Sequence, residues 1–510
     1  MFQSAINSLN SALGRYPWVA ELAGILPLSA LIDFIEIPPK LHVLELAGSV
    51  PLWSWAITPS GSRLLLAKPD KAGDKTVQQD CCMDRFGNAL ALEALDGRYG
   101  ERYFASSPET LRLILEGSKV VHIENDHMNM TNEKFTRRVQ NVEIIHVTRR
   151  DSKAASGAPP EAPLEAPSEA PSKAPSKAPL LGWLRGFINP LQNTSPLYQA
   201  TSTGGWILWV GTLIVSGFFK FWICFAFVLL LPVTGTVVSL LFGTQPRKLL
   251  VEERSKFVRL LVVAEHMNTA TWRVVFGESS IVNSLINRPL EPTGPPPSSG
   301  WTAVCRQLLR LCILGQWGLA LGAAATKRWD AYMICFWIAF PIFCHAYLIS
   351  PSFCAKVWSE NKAKIHVQRY STQTSTRRSF VNLIVALNPD TFGLDSNENI
   401  DYDKFYSEGL KWMNPILSES NSRKVWELAT REALKEVASK PIDSTVGQNP
   451  DSDFLSTAWN AQYARFEVDG KTGEMKEKYY WRRFIPEGIY LADKIKKEAN
   501  LPKGKTVRTS

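Results

Sequence analysis

The sequence predicts α+β soluble regions flanking an α-helical transmembrane region of three or four spans. Two observations support this fold class. Apolar runs occupy residues 206–243, 308–325 and 331–350, and each is long enough to cross or nearly cross a bilayer. The segments on either side instead combine helix caps, short strand patterns and turn residues, which are typical of soluble α+β folds. The 510 residues suffice for roughly three domains.

The first apolar run is too long for one span. Residues 206–243 contain Lys220 as their only charged side chain, and a single helix of that length would measure about 57 Å against a hydrocarbon core of about 30 Å. Either two short helices meet near residues 218–221, or one span ends near 232–235 and the rest lies along the interface. The runs 308–325 and 331–350 are joined by five residues and therefore predict a hairpin.

The number of spans follows from the distribution of charge. Basic residues concentrate at 245–310 and 356–378, so both flanks of the second apolar pair are predicted to be cytoplasmic. Without a signal peptide the N-terminal region is also predicted to stay in the cytosol, which favours four spans over three. Glycosylation sequons at Asn129 and Asn193 oppose this topology, because their use requires a lumenal N-terminal side.

The soluble parts divide by composition. Residues 1–150 are predicted to form an α+β domain, with strands at 62–68, 119–125 and 142–149 and a helix that begins at Pro108 and ends at Gly117. Residues 151–205 form a Pro/Ala-rich linker, because prolines repeat every fourth residue there.

The two later soluble parts are a basic loop and a C-terminal domain. Residues 244–307 are predicted as a basic loop with a surface helix over 247–266. Residues 351–510 are predicted as a cytosolic α+β domain with a helix from Ser422 to Lys440, a hairpin turning at 470–473 and a closing helix over 486–500.

Charge and cysteine patterns exclude several classes of function. The net charge of +9 lies mainly beside the apolar runs and not in one basic domain, which indicates a lipid bilayer as partner and excludes nucleic acid. None of the 8 cysteines is spaced as C-x-x-C, so no zinc or redox motif is present. No catalytic, cofactor-binding or metal-binding residue is predicted.

Four residues within the apolar runs are candidates for a role. Lys220 and His345 are ionisable side chains away from the predicted span ends, and such residues are costly enough in a bilayer to indicate an ion or proton path. Lys220 also fits a turn. Gly318 and Gly322 have the G-x-x-x-G spacing that lets helices pack closely, in a bundle or in a dimer.

Three polar patterns outside the spans have stronger structural interpretations than functional ones. His122, Glu124, Asp126, His127 and His146 offer metal-ligand chemistry, yet polar residues at strand edges commonly bind nothing. The acidic residues between 395 and 403 fail the register of an EF-hand loop and predict a solvated loop. Residues 470–472 lack the first glycine of a phosphate-binding loop and predict a hairpin turn.

The stretch FVNLIVALNPDTF at 380–392, the degenerate proline repeat and the Trp-rich spans resemble uncharacterised multi-pass membrane proteins of filamentous fungi. The resemblance implies no activity and no catalytic residue. Because some of these proteins are encoded beside secondary-metabolite genes, it implies an accessory role in fungal secondary metabolism.

Three functional hypotheses follow. The first is a non-catalytic membrane anchor or interaction platform that binds protein partners through its cytosolic domains. The second is a small transporter or channel component that uses Lys220 and His345 and acts as an oligomer. The third is a membrane-tethered enzyme with an unrecognised site around 122–127. The sequence favours the first because it contains caps, strands and turns but no recognisable reaction motif.

Overall fold

The structure is a computed structural model. It describes residues 4, 7–8, 11, 14–30, 50–56, 92–105, 108–126, 139–150, 196–242, 248–251, 253–255, 257–288, 290, 299–391, 393–394, 400–401, 409–414, 417–439, 455–463, 466–468, 470–477, 481–482 and 484–501. The predicted strand at 62–68, most of the linker and the acidic residues at 395–399 lie outside these residues.

The largest element is a seven-stranded mixed sheet formed by described strands from distant parts of the chain. These strands are β1 Glu93–Asp96, β2 Arg102–Phe104, β3 Val120–His122, β4 Gln140–Arg149, β5 Val258–Ala264, β6 Thr271–Glu278 and β7 Ile365–Thr374. Their order across the sheet is β2-β1-β5-β6-β4-β7-β3. β4 is parallel to β6 and β3 is parallel to β7, whereas the other neighbours are antiparallel.

This sheet joins segments that the sequence analysis treated as separate regions. β1 to β4 come from residues 1–150, β5 and β6 from 244–307, and β7 from 351–510. The predicted surface helix over 247–266 is wrong, because its second half is β5. Six of the seven β5 residues are buried, as expected for an apolar strand that is covered on both faces.

The described helices surround the sheet and extend away from it. They are α1 Pro17–Ala30, α2 Pro108–Gly117, α3 Pro196–Phe218, α4 Trp222–Phe242, α5 Ser279–Asn287, α6 Ser299–Thr326, α7 Trp329–Phe343, α8 Pro351–Asn361, α9 Arg377–Leu387, α10 Asn421–Ser439, α11 Thr457–Gln462 and α12 Phe484–Glu498. α7 continues into a π-helical turn over Cys344–Leu348. The result is a mixed helix and sheet fold.

Each face of the sheet has its own apolar core. On one face, Ile145, Val147 and Leu261 pack with α2, α5 and α8, and this core continues into residues of α3, α4 and α6. We call this the bundle-side face. On the opposite, outer face, Ile144 and Val262 pack with α9, α10, α11 and α12. The alternation of side chains along β4 and β5 therefore feeds two cores from the same strands.

The helices α3, α4, α6 and α7, together with α1, form a helix bundle with a third apolar core. The long apolar run is two helices, with a turn at Lys220 where the backbone φ is +61°. This confirms the prediction of two helices meeting near 218–221, although α3 begins ten residues earlier than the predicted span. α6 and α7 form the predicted hairpin, and the short loop between them is residues 327–328.

The predicted C-terminal helix and hairpin are both present, with shifted boundaries. The helix predicted from Ser422 is α10, and its cap is Ser420, whose Oγ accepts a hydrogen bond from the backbone N–H of Arg423 at 3.2 Å. Two short strands, β10 Phe466–Val468 and β11 Met475–Glu477, form the hairpin that turns at 470–473. Another short antiparallel pair, β8 Gly393–Leu394 and β9 Ile400–Asp401, flanks the acidic residues.

Candidate functional site

The two ionisable residues predicted within the apolar runs lie far apart. Lys220 is exposed at the turn between α3 and α4, and nearby Cys224 donates its backbone N–H to Asp330 at the start of α7. His345 lies beyond the other end of α7, fifteen residues after Asp330, which corresponds to roughly 22 Å along a helix. His345 is buried, and no described group hydrogen-bonds its Nε2. The structure therefore does not bring Lys220 and His345 together.

The predicted glycine packing motif does not contact another helix among the described residues. A Cβ added at Gly318 or Gly322 would meet no atom within 4 Å. Close packing occurs elsewhere: a Cβ at Gly235 would lie 2.5 Å from the ring of Trp55. The small residues of α6 that enter the bundle core are instead Ala320 and Ala323.

The histidines and acids of residues 122–146 are divided between separate contacts. His122 Nδ1 lies 3.0 Å from Ser371 Oγ on the bundle-side face, whereas His146 Nδ1 lies 3.3 Å from Gln368 Oε1 on the outer face. Burial lowers the pKa of His146 below its ordinary value, and the hydrogen bond with Gln368 opposes this shift. No group of three metal-ligand residues is found among the described residues, and His127 lies outside them.

Asp126 belongs to a structural contact with α12. Its carboxylate accepts hydrogen bonds from Tyr490 and from the Lys494 ammonium, each at 3.0 Å. Burial, together with the hydrogen bond to Asp126 and its charge, raises the pKa of Tyr490 to about 12. These contacts connect the segment that follows β3 to α12.

The surface of the helix bundle is unusually apolar. α4 over Trp222–Leu241 and α6 over Gly300–Thr326 are long and apolar enough to cross a membrane. Less than half of the apolar stretch of each helix is buried inside the protein. Large apolar side chains of the bundle with more than half of their surface exposed include Ile207, Ile214, Phe218, Trp222, Trp301, Val304, Leu311, Leu314, Leu321 and Phe343. Exposed apolar side chains in this number are typical of a surface that binds a partner or contacts a membrane.

Several polar groups inside the bundle form hydrogen bonds within the protein. Gln316 donates to Thr234 Oγ1 at 2.8 Å and to the carbonyl of Trp55 at 3.0 Å. Trp337 donates to Thr212 at 3.2 Å, and buried Asp330 accepts the N–H of Cys224 at the first turn of α4. The bundle thus places its hydrogen bonds inside and its apolar side chains outside.

A cavity of about 890 Å³ lies on the outer face of the sheet, between the first turns of α9 and α10 and the turn that joins β5 to β6. We call it the distal cavity. Its lining residues are Gln140, Asn268, Thr269, Thr376, Arg377, Arg378, Val381, Asn382, Leu417, Ser418, Ser420, Ser422, Arg423, Trp426 and Trp481. Of the described residues that line it, three are arginines and none is acidic.

The position of the distal cavity follows from the sheet register. Gln140 pairs with Thr374 at one end of β4, whereas Arg149 pairs with Ile365 at the other. The second end adjoins the helix bundle, because the chain there leads toward α3 and arrives from α8. The distal cavity therefore lies at the far end of the sheet, roughly 30 Å from the bundle by the length of β4.

Arg377 is held in place at the start of α9. Its Nη2 donates to the carbonyl of Met267, its Nη1 lies 3.4 Å from Asn268 Oδ1, and its guanidinium lies 5.4 Å from the Trp272 ring centroid. The guanidinium stacks on the indole ring of Trp272, and its hydrogen bonds with the β5–β6 turn fix the direction of its planar fork of N–H groups. No carboxylate of a described residue forms an ion pair with Arg377.

The other two arginines differ in their surroundings. Arg423 donates to Glu427 at 2.7 Å, to Asn414 at 2.8 Å and to the carbonyl of Leu417, so it fixes the chain before α10. The Arg378 guanidinium lies over the Phe484 ring at 5.8 Å.

The floor of the distal cavity is aromatic and rigid. Trp426 is buried, and its indole N–H donates to Asn382 Oδ1 at 3.2 Å. Asn382 in turn donates to the carbonyl of Arg378 at 3.0 Å. Trp481 is also buried. These contacts fix the relative position of α9 and α10.

A buried carboxylate supports the first turn of α9 from behind. Glu487 accepts the backbone N–H of Ser375 at 2.7 Å and the side-chain amide of Asn125 at 3.0 Å. It also accepts the hydroxyls of Ser375 and Ser379. Glu487 does not line the distal cavity, and its oxygens are fully used in holding the segment that presents Arg377.

Sequence reasoning did not find the distal cavity. Arg377 and Arg378 counted only as part of a basic flank, and their neighbours in space come from residues 140, 268 and 423. One signal was available: Thr376 is the N-cap of α9, and its Oγ1 accepts the N–H of Ser379 at 3.2 Å. An arginine pair directly after a cap predicts two cations at a helix N-terminus, where the backbone itself is positively polarised.

The chain matches no family model, no curated protein and no solved structure. The resemblance to fungal membrane proteins therefore stays a prediction, and the function is argued from the geometry.

Proposed function

We propose that the protein is a multi-pass membrane protein in which two helical hairpins anchor one sheet domain to one side of the membrane, as a non-catalytic anchor or interaction platform. One observation carries the proposal. The sheet takes β1 to β4 from before the first helix pair, β5 and β6 from between the pairs, and β7 from after the second pair.

Hydrogen-bonded strands of one sheet occupy the same side of a bilayer. β4 pairs with β6 over seven residue positions and with β7 over ten, so the chain must return to its starting side after each helix pair. Each pair therefore crosses the membrane an even number of times. This supports four spans over the three that the sequence left open, with α3 and α4 as one hairpin and α6 and α7 as the other.

Helix lengths are consistent with four spans. α3 has 23 residues and α4 has 21, and both reach about 30 Å at 1.5 Å per residue. α7 has only 15 residues, but with the five residues of the π-helical turn it reaches a similar length. The exposed apolar side chains of the bundle would face lipid, and its hydrogen bonds would lie inside, as a bilayer requires.

The first helix changes one expectation about the N-terminus. α1 contacts the tip of the α6–α7 hairpin, where Glu21 pairs with Lys327 at 2.8 Å and the carbonyl of Val19 accepts from Tyr332 at 2.7 Å. That tip is the end of the bundle away from the sheet. Within this proposal, residues 17–30 lie near the membrane surface opposite the sheet domain and the N-terminus is lumenal rather than cytosolic, so the chain crosses the bilayer once more between α1 and β1, in addition to the four spans of the two hairpins.

Compartment-sensitive reporters test this arrangement in the full-length protein. One reporter is inserted in the linker near residue 170, one near residue 295, one at the C-terminus and one at the N-terminus. We expect the first three in the cytosol and the last in the lumen, with Asn129 and Asn193 unmodified. A linker and a C-terminus on opposite sides would exclude the shared sheet in the membrane-inserted protein and would contradict the proposal.

A further inference from the structure

We infer that the distal cavity binds a small soluble phosphorylated molecule with a planar ring, the chemical class that includes nucleotides. The distal cavity is built from the outer face of the sheet and its helices alone, and only the exclusion of lipid phosphate rests on the proposed membrane anchoring.

The charge of the lining selects an anion. Arg377 and Arg378 are adjacent in sequence at the first turn of α9, and the described residues that line the cavity include no carboxylate. The nearby acid Glu427 is already paired with Arg423 at 2.7 Å. Positive charge enclosed by protein walls focuses its field within a cleft, and the partial positive charges of two helix N-termini add to it. A bound anion would offset this concentration of charge.

The hydrogen-bonding groups favour phosphate. Two nitrogens of the planar Arg377 guanidinium bind the β5–β6 turn. No described contact uses its remaining N–H groups. Planar guanidinium forks match the geometry of phosphate oxygens. Ser418, Ser420 and Ser422 add hydroxyls on the opposite wall.

Size and aromatic lining indicate more than a bare ion. A volume of about 890 Å³ lies within the range of pockets for cofactors and drug-sized ligands. Trp426 and Trp481 supply aromatic surface next to the arginines. A ligand that combines a phosphate with a flat ring would use both features of the lining.

The location excludes one source of phosphate. The distal cavity lies roughly 30 Å from the bundle end of the sheet, which is the length of β4. A phospholipid headgroup in the membrane that holds the bundle is therefore out of reach, so the phosphate must come from solution.

Calorimetric titration of the full-length protein in detergent micelles tests this inference. The probes are ATP, pyrophosphate and, as an uncharged comparison, adenosine. We expect saturable binding of ATP that weakens with salt, with pyrophosphate binding less tightly and adenosine least. Arg377→Gln and Arg378→Gln should each weaken ATP binding about tenfold or more, since each removes a charge-assisted hydrogen bond.

Lys424→Gln is the matched control, because Lys424 is an exposed cation on the first turn of α10 that does not line the distal cavity. It should bind ATP like the wild type. Arg377→Gln is the decisive variant if Arg378→Gln fails to fold, because the Arg378 guanidinium also packs over the buried Phe484 ring. Absence of saturable binding of ATP and pyrophosphate, equal binding of adenosine, or ATP binding unchanged in Arg377→Gln would overturn the inference. None of these outcomes would alter the reporter topology.

Discussion

The arginines on the bundle-side face of the sheet and Arg377 of the distal cavity have opposite surroundings. Arg259 lies 2.8 Å from Asp96, and Arg149 lies 2.9 Å from Glu278. Arg369 and Arg273 share Glu143. In the distal cavity, Arg377 instead contacts an indole ring and the amide and carbonyl oxygens of a turn. The comparison teaches that the arginines of the bundle-side face are neutralised by carboxylates of the fold, whereas Arg377 pairs with no described carboxylate, as the inferred ligand site requires.

The largest effect should come from breaking the most buried pair. Asp96 is fully buried and receives Arg259 Nη2 at 2.8 Å and the N–H of Arg98 at 3.0 Å. Asp96→Ala leaves the guanidinium without its counter-ion, which we expect to lower the free energy of unfolding by about 3–5 kcal/mol. Urea unfolding of the protein in detergent, followed by tryptophan fluorescence, measures this change.

Lys356→Ala is the control for Asp96→Ala. Lys356 forms an exposed pair with Glu360 at 3.9 Å on α8, and its removal should change stability by less than about 0.5 kcal/mol. Equal effects of the two substitutions would show that burial does not distinguish these pairs.

A smaller effect is expected at Glu143, which is shared by two arginines. Glu143→Gln keeps the size of the side chain but removes the charge that faces Arg369 and Arg273. Arg369 retains the carbonyl oxygens of Leu115 and Ser118 as acceptors, so we expect a loss of about 1–3 kcal/mol in the same urea experiment. A loss as large as that of Asp96→Ala would mean that the carbonyl contacts contribute nothing.

The pH dependence of stability should report on Glu278. Burial alone would raise the pKa of Glu278, but hydrogen bonds from Ser280, Arg149 and the N–H of Ser255, with the charge of Arg149, lower it below its ordinary value of about 4.5. A lowered folded-state pKa stabilises the protein above that ordinary value, and this stabilisation is lost as pH falls through the folded-state pKa. The wild type should therefore lose stability more steeply below pH 4.5 than Glu278→Gln does, as measured by thermal unfolding between pH 3 and 7. Parallel curves of stability against pH for the wild type and Glu278→Gln would mean that the Arg149–Glu278 pair does not contribute to the pH dependence.

The smallest effect on folding should come from the distal cavity. Arg377 is exposed and pairs with no described carboxylate, so Arg377→Gln should change the free energy of unfolding by less than about 0.5 kcal/mol. The same variant is expected to lose ligand affinity, which separates this arginine from those of the bundle-side face. Destabilisation comparable to that of Asp96→Ala would remove the distinction on which the comparison rests.

Local features of the fold were predictable from the sequence, whereas its assembly was not. The turn at Lys220 and the α6–α7 hairpin follow from apolar length and short connections, which are properties of neighbouring residues. The sheet could not be predicted, because β4 finds its partners in β6 and β7, which follow it by more than one hundred and two hundred residues. No local pattern encodes such pairings, and the apolar β5 was mistaken for part of a surface helix.

The distal cavity was hidden for the same reason. Its lining joins Gln140, Asn268, Arg377 and Arg423, which come from four separate elements. The intramembrane candidates show the reverse case: Lys220 and His345 were conspicuous in sequence but lie at opposite ends of the bundle. The chemical type of a side chain can be read from the sequence, but which side chains come together depends on the order of the strands in the sheet.

The central place of β4 has a consequence for biosynthesis. Both of its neighbours, β6 and β7, emerge from the ribosome only after the first and the second helix pair have been made. If either hairpin inserted in the wrong direction, its following strand would be delivered to the wrong compartment and β4 would keep an open edge. In the proposed topology, closure of the sheet therefore requires correct insertion of both hairpins, and a nascent chain in which one hairpin is inverted would expose an unpaired strand edge to cellular quality control.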